Sequence, residues 1–439
     1  MSDFGSLLTK QSFHIIALRL FGAGLALIAQ VVASRFIGPE EYGRFALAFV
    51  WLLLLGHVGT AGTSQLLYRH LAEYLTTGDK ARAAGIVRFA MAATLAVSIA
   101  IGVLGIVAVQ LGVLPIGSEL IWLVTLTLIA VPLLAFQDFL EAIARGLDQP
   151  AAGIGPAYTM RHLSIIVGLG ALVLVGHSAT ALTVVVLAIV GLIASILVQY
   201  WLLRPHLVTA IGSAAPAFEV SAWLKTAVPM AGVDLAEVLF LNVDVILLGL
   251  LVPPEQVAFY FAASRLAQFL AYVPYGVSAT TAQKYAALSA GNRRGELQAL
   301  VSRATVMMTV LTAAGAVTLS VLAAPLLGFF GPEFHIASQF VPVMCLGIVA
   351  ACALGPGEDV LNMLGEERLC SIGFIVALAV NVVTALVLIP AMGPMGAAIA
   401  TALGLAVRGG VLAAIAYWRL GLIIPMFSAL MRGQAEVEA

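Results

Sequence analysis

Apolar stretches of twenty or more residues follow one another along the whole of this chain, and that pattern limits its fold more than any other feature. A helix rises ~1.5 Å per residue and a hydrocarbon core is ~30 Å thick, so each stretch is long enough to cross it. Of 439 residues, 62% are hydrophobic and 10% charged, with a mean hydropathy of +1.08. Ordinary soluble domains carry roughly 25% charged residues. Strand-like alternation is absent. The chain therefore reads as an all-α polytopic membrane protein.

Twelve spans are expected, near 12–37, 44–71, 84–111, 119–142, 153–175, 179–203, 222–251, 257–283, 301–330, 337–364, 369–390 and 396–417. The first exceeds a signal-peptide core, holds Arg19 and is followed by no small-residue cleavage site, so it is expected to stay as an anchor. Cys345, Cys352 and Cys370 fall in or beside spans and read as packing residues; no disulfide or metal spacing is present.

Orientation follows from the loops. With the amino end inside, inner positions collect most of the 21 Lys and Arg, including Lys10, Arg69, Lys80, Arg82, Arg145, Arg161, Arg204, Arg293, Arg294, Arg368 and Arg432. The outer turns near 112–118, 176–178, 252–256, 331–336 and 391–395 hold none. The positive-inside rule then places both termini in the cytoplasm.

Residues 36–45 read FIGPEEYGRF, and a worn copy, LVPPEQVAFYF, returns about 215 positions later at 251–261. Polar loops around Lys80 and around Arg293 and Arg294 repeat at the same spacing, and IARGLDQP at 143–150 echoes LNMLGEER at 361–368. Such repetition is what a duplicated membrane protein leaves in sequence. The expected domains are a six-helix bundle at 1–205, a cytoplasmic linker at 206–220 and a second six-helix bundle at 221–439. The connector over 204–221, RPHLVTAIGSAAPAFEVS, carries two prolines and several small residues, which suits a flexible connection. Halves with an even helix count share one orientation, so two pseudo-symmetric bundles around a central cavity are expected.

The turn FIGPEEYGRF, Arg19 in the first span, Asp244 with Gly249 closing the seventh, and Tyr260-Phe261-Ala262-Ala263-Ser264-Arg265 together resemble the oligosaccharide-lipid flippases of polysaccharide synthesis, of the MOP superfamily that includes the MATE exporters. The resemblance implies a transporter in the bacterial inner membrane that moves an undecaprenyl-diphosphate-linked oligosaccharide to the outer leaflet. It implies a polyprenyl-linked glycan and the bilayer as partners, and a polymerase complex at family level. No cofactor and no nucleic-acid partner are expected.

Charges at membrane depth cost ~2.5–3.5 kcal/mol on insertion scales, so those inside spans should face protein or water. Arg19 shares a helical stripe with Ala23, Ala26 and Gln30. Either it pairs with a neighbouring helix or its guanidinium fork meets a substrate diphosphate. Arg265 holds the matching place in span eight, and Arg408 suits a third contact. Asp234, Glu237 and Asp244 lie within about an 80° arc of span seven and must face inward. They hold a coupling cation or proton, or they pair internally. Pro229 and Gly232 could break that helix.

In span four, Asp138, Glu141 and Arg145 share a face, and Glu358 and Asp359 follow Gly355-Pro356-Gly357 in span ten. A local ion-pair cluster is the plainer reading; a gate is the other. His57 in span two reads as a hydrogen-bonded structural residue. Tyr42, Phe45, Phe259 and Tyr260 flank the outer turns and are expected to anchor in the membrane interface.

No phosphate-cradling loop, zinc-binding H-E-x-x-H or G-x-S-x-G elbow occurs. The long external loops of membrane polymerases are missing too. A transporter is expected, not an enzyme. The alternative is a cation-coupled MATE-like multidrug exporter, against which the first span counts, because it carries Arg19 and no carboxylate before Glu40.

Overall fold

The computed structural model describes residues 10–113 and 117–426, with side chains from Ala17 onward apart from positions 233 and 367. The two termini, Arg432 and part of the 112–118 turn lie outside the described residues.

Helix α1, Lys10–Gly59, is two legs in one, because Gly38 breaks it at φ 75° and ψ 171°. That backbone region is essentially restricted to glycine, and Pro39 next to it offers no amide hydrogen. The rest of FIGPEEYGRF holds the resulting hairpin. Tyr42 donates its hydroxyl to Gln30 Oε1 across the two legs at 2.9 Å. Arg44 binds Glu40 at 2.7 Å and Glu41 at 2.5 Å. Glu41 also accepts from the Ala181 amide, 2.7 Å away, at the first turn of a later helix, where a carboxylate is favoured.

The second leg continues, after a break at Ala61 and Gly62, as α2, Thr63–Thr76. Then come α3 (Lys80–Gln110), α4 (Ile121–Gly146), α5 (Pro150–Leu174), α6 (Ala181–Ile211) and α7 (Val220–Leu251). The eighth crossing is α8 (Pro254–Gln268) and α9 (Tyr272–Ala290), joined by a 3-10 turn. Helix α10 (Arg294–Gly328) precedes α11 (Phe340–Ala353) and α12 (Gly357–Met363), which form one crossing interrupted at Gly355 and Pro356. Helices α13 (Glu367–Met392) and α14 (Pro394–Ile415) complete the described chain.

Among the described residues nine helices are by themselves long and apolar enough to cross a membrane. The second leg of α1 with α2, then α7, then α8 with α9 supply the others. Twelve crossings result.

The duplication is written in the backbone as well. Left-handed residues close equivalent helices in both halves: Gly78 and Asn292, Asp148 and Gly365, Gly176 and Gly393. These are the positions at which a helix end turns back on its own carbonyls. Gln256, the repeat of Glu41, likewise lies against Gly393 at the start of α14.

Packing divides the chain into two compact units, and the boundary falls inside α7, between Val238 and Leu239. In the first unit Leu66, Leu71, Ile86, Phe139, Ile143 and Trp223 form one core cluster, so the start of α7 packs with α2, α3 and α4. Trp223 donates its indole N–H to the Tyr74 hydroxyl at 3.1 Å. In the second unit Tyr285, Leu297, Val301, Val360, Leu422 and Ile424 form a comparable core. The three cysteines are buried and unbridged.

The connector differs from the flexible link that its composition suggests. Residues 206–211 extend α6, and the segment after them is tied to α3: Ala217 N–H donates to the Ala81 carbonyl at 2.9 Å, and Arg82 meets Glu219 at 2.9 Å. Small residues allow this, since a Cβ on Gly85 would lie 1.8 Å from the Ala217 carbonyl oxygen. The second unit repeats the device. After α14, Ile423 and the Gln298 side chain exchange two hydrogen bonds at 2.6 and 2.9 Å, and Arg294 donates to the Leu420 carbonyl at 2.8 Å.

Candidate functional site

In the first unit a polar cluster gathers from five helices. Helix α4 supplies Asp138, Glu141 and Arg145 at i, i+3 and i+7, which is one face. Glu141 and Arg145 are hydrogen-bonded, and the Arg145 guanidinium lies 4.9 Å over the Tyr68 ring of α2. The α1 leg presents His57, whose Nε2 is 3.8 Å from Asp138 Oδ2. Helix α7 adds Asp234, which accepts from Gln65 at 3.1 Å. Glu237 is exposed.

The fifth contributor, α5, changes the sequence reading. Arg161, counted there among inner-loop cations, lies well inside α5, with its guanidinium 5.3 Å over the Phe49 ring and Asp138 within electrostatic reach. It belongs to the interior and not to the orientation tally. The available signal was depth: Arg161 stands in mid-span, the place where an arginine is costly unless used. Arg19 is half-buried on α1 beside α5, where Gly22 allows close approach to Tyr158. Gln30, expected with Arg19, is engaged by Tyr42.

In the second unit Asp244 is buried, and each of its oxygens is used. Oδ2 accepts from Tyr260 and, at 3.2 Å, from Thr401; Oδ1 accepts from the Val245 amide at 2.8 Å. Arg265 is within electrostatic reach of it, stacks 4.4 Å over Phe261 and donates to Gln268 at 2.9 Å. Two turns beyond Thr401 on α14, Arg408 lies 4.9 Å over Phe374 and 3.8 Å from Glu358. Asp359, next to Glu358, accepts from Ser278. Asn381, which the sequence reading passed over, is fully buried on α13 and has no hydrogen bond to its side-chain amide among the described residues.

The structure thus separates the acids of α7: Asp234 and Glu237 belong to the first unit, Asp244 to the second. It brings Arg408 together with Glu358. It also moves the aromatic rings. Tyr42, Phe45 and Tyr260 are buried rather than set in the interface, because their hydroxyls or neighbours tie helices together. Among the described residues no group of three His, Cys, Asp or Glu is placed to hold a metal ion.

Residues 8–282, more than half of the chain, match the family described as polysaccharide biosynthesis protein, and residues 229–387 match the MatE family. No curated protein matches the sequence. Among solved structures the chain is similar to an inward-facing multidrug resistance MATE family transporter of the MOP superfamily, at TM-score 0.74 and 16% identity over 95% of this chain and 96% of that one. It is similar to the lipid II flippase MurJ in an inward closed conformation, at TM-score 0.71 and 16% identity over 91% and 86%. A third is a MOP superfamily transporter from Pyrococcus furiosus, whose description reports reverse polarity of its binding pocket (TM-score 0.60, 15% identity, 96% and 94%). At such identities the likeness shows the fold, the all-α fold of this superfamily.

Proposed function

This chain belongs to the polysaccharide biosynthesis protein family, and from that premise we propose that it flips an undecaprenyl-diphosphate-linked oligosaccharide across the cytoplasmic membrane by alternating access, with both chain ends on the cytoplasmic side. The observation that carries the reading is a shared setting of its intramembrane arginines. Arg161 lies over Phe49, Arg265 over Phe261 and Arg408 over Phe374. A ring face takes the flat of a guanidinium and keeps its charge, while the N–H groups point outward in the plane, the direction from which phosphate oxygens are bound in pairs. Arg19 extends the set on α1. The Pyrococcus furiosus transporter, whose description takes reverse polarity of its binding pocket to suggest a different function, supports the view that this fold serves more than one function.

The test is translocation of a polyprenyl-diphosphate sugar by the purified protein in vesicles. Arg19→Ala and Arg265→Ala should abolish it while the protein still reaches the membrane. Normal export by Arg19→Ala would remove Arg19 from the mechanism.

A cation-coupled multidrug exporter is the second reading, favoured by the MatE match over residues 229–387. Drug resistance on expression, with surface polysaccharide unchanged on deletion, would select it.

A further inference from the structure

Two hydrogen-bond acceptors face each other in the first unit. The ring of His57 places Nδ1 2.8 Å from the Leu53 carbonyl oxygen. A carbonyl only accepts, so Nδ1 carries the hydrogen and the neutral ring keeps a lone pair on Nε2. That lone pair is turned towards Asp138 Oδ2, 3.8 Å away. No hydrogen bond reaches Oδ2 among the described residues, although it is shielded from solvent.

The gap is too wide for a direct hydrogen bond, and a bridging water needs on the order of 4.5 Å between the atoms it joins. One proton removes the conflict. Nε2 and the Asp138 carboxylate take up a single proton from water to become Nε2–H donating to Oδ2; release returns it to water, and no other bond changes.

The neighbours leave that proton to the pair. On α4, Glu141 is bonded to Arg145, and Arg145 also covers Tyr68 of α2. On α7, Asp234 is held by Gln65. On α5, Arg161, Tyr158 and His162 are the charged and titratable groups; Arg161 acts on Asp138 through space without bonding Oδ2, and the buried His162 is bonded through Nδ1 to the Tyr158 carbonyl at 2.8 Å. Helix α3 presents Ser98 and Thr94, whose hydroxyls bond the Thr94 carbonyl and Thr63.

We propose that His57 and Asp138 form a one-proton binding site, and that its loading and unloading drive the transport cycle. Loading draws the α1 leg towards α4. The leg is free to respond there, because the helix breaks four residues after His57, at Ala61 and Gly62, with positive φ at both. The coupling, though not the proton itself, rests on the transport function proposed above.

The full-length protein in vesicles is assayed for polyprenyl-diphosphate sugar translocation with and without a pH gradient, as wild type, H57Q and D138N. In D138N the side-chain amide can donate to Nε2 with no proton added. Gradient stimulation of the wild type should therefore be lost in D138N and in H57Q. Infrared difference spectra of the purified protein without substrate, between acid and alkaline pH, supply the second readout. The carboxylate and imidazole bands of one shared site should vanish together in either variant.

If D138N removes the carboxylate bands and leaves the histidine bands as in the wild type, the two groups titrate separately and the proposal is overturned. Unchanged gradient stimulation in both variants also overturns it and leaves the flippase reading standing. A wild type that moves no glycan lipid yet shows the shared bands would overturn the flippase reading and keep the proton site. Should D138N not fold, H57Q alone decides through the carboxylate bands.

Discussion

Asp244 was expected to face inward beside Asp234, either as a coupling group or as internal support, and its contacts favour support. A buried carboxylate whose oxygens accept from Tyr260, Thr401 and the Val245 amide joins α7, α8 and α14. Tyr260→Phe should lower stability by about 1–3 kcal/mol, since it strips a bond from a buried charged acceptor, and leave gradient-stimulated translocation intact. Thermal unfolding in detergent and the vesicle assay read the two parts. Arg161 gives the opposite expectation. Arg161→Ala should reduce translocation at least about tenfold, or ~1.4 kcal/mol, and Arg161→Lys should restore only part of it, because a lysine keeps the charge but not the fork. Depth in the membrane made Asp244 legible as important, whereas Arg161, at comparable depth, was read with the inner-loop cations. Partners did not follow, because a helical wheel says which way a side chain points and not what stands opposite.

At the scale of elements, FIGPEEYGRF is a hairpin fastener. Gly38 makes the turn, Tyr42 locks the legs through Gln30, and Glu41 caps α6. Gly38→Ala should cost roughly 1–3 kcal/mol through backbone strain alone, since the space around it is open, and should show as a lower unfolding temperature with the translocation rate per folded molecule unchanged. The connector is the other case. Its prolines and small residues resemble a loose linker, yet the same small residues let the chain lie flat on α3. Gly85→Val would push a side chain into the Ala217 carbonyl and should expose residues 213–219 to protease. Glu219→Ala should change stability by no more than about 1 kcal/mol, because the ion pair it breaks is exposed.

For the whole molecule, the duplicated halves and the packed units are different divisions of the chain. Repeats locate the seam of duplication before α7, whereas packing assigns residues 220–238 to the first unit. A fragment ending at Leu251 should therefore be recovered folded in higher yield than one ending at Gly212, which lacks Trp223 over Tyr74 and Phe89. Size-exclusion profiles of the two fragments test this. By itself the sequence determined the membrane environment, the helical class, the twelve crossings and the repeat, because each depends on the hydropathy and spacing of residues near one another in the chain. The pairing of His57 with Asp138, the setting of each arginine on its phenylalanine, the separation of Asp244 from Asp234 and the strapping of the connector were decided only by tertiary structure. Each joins helices distant in the chain, and in a bilayer, where every helix face is apolar enough for lipid, close packing of small residues selects which faces meet.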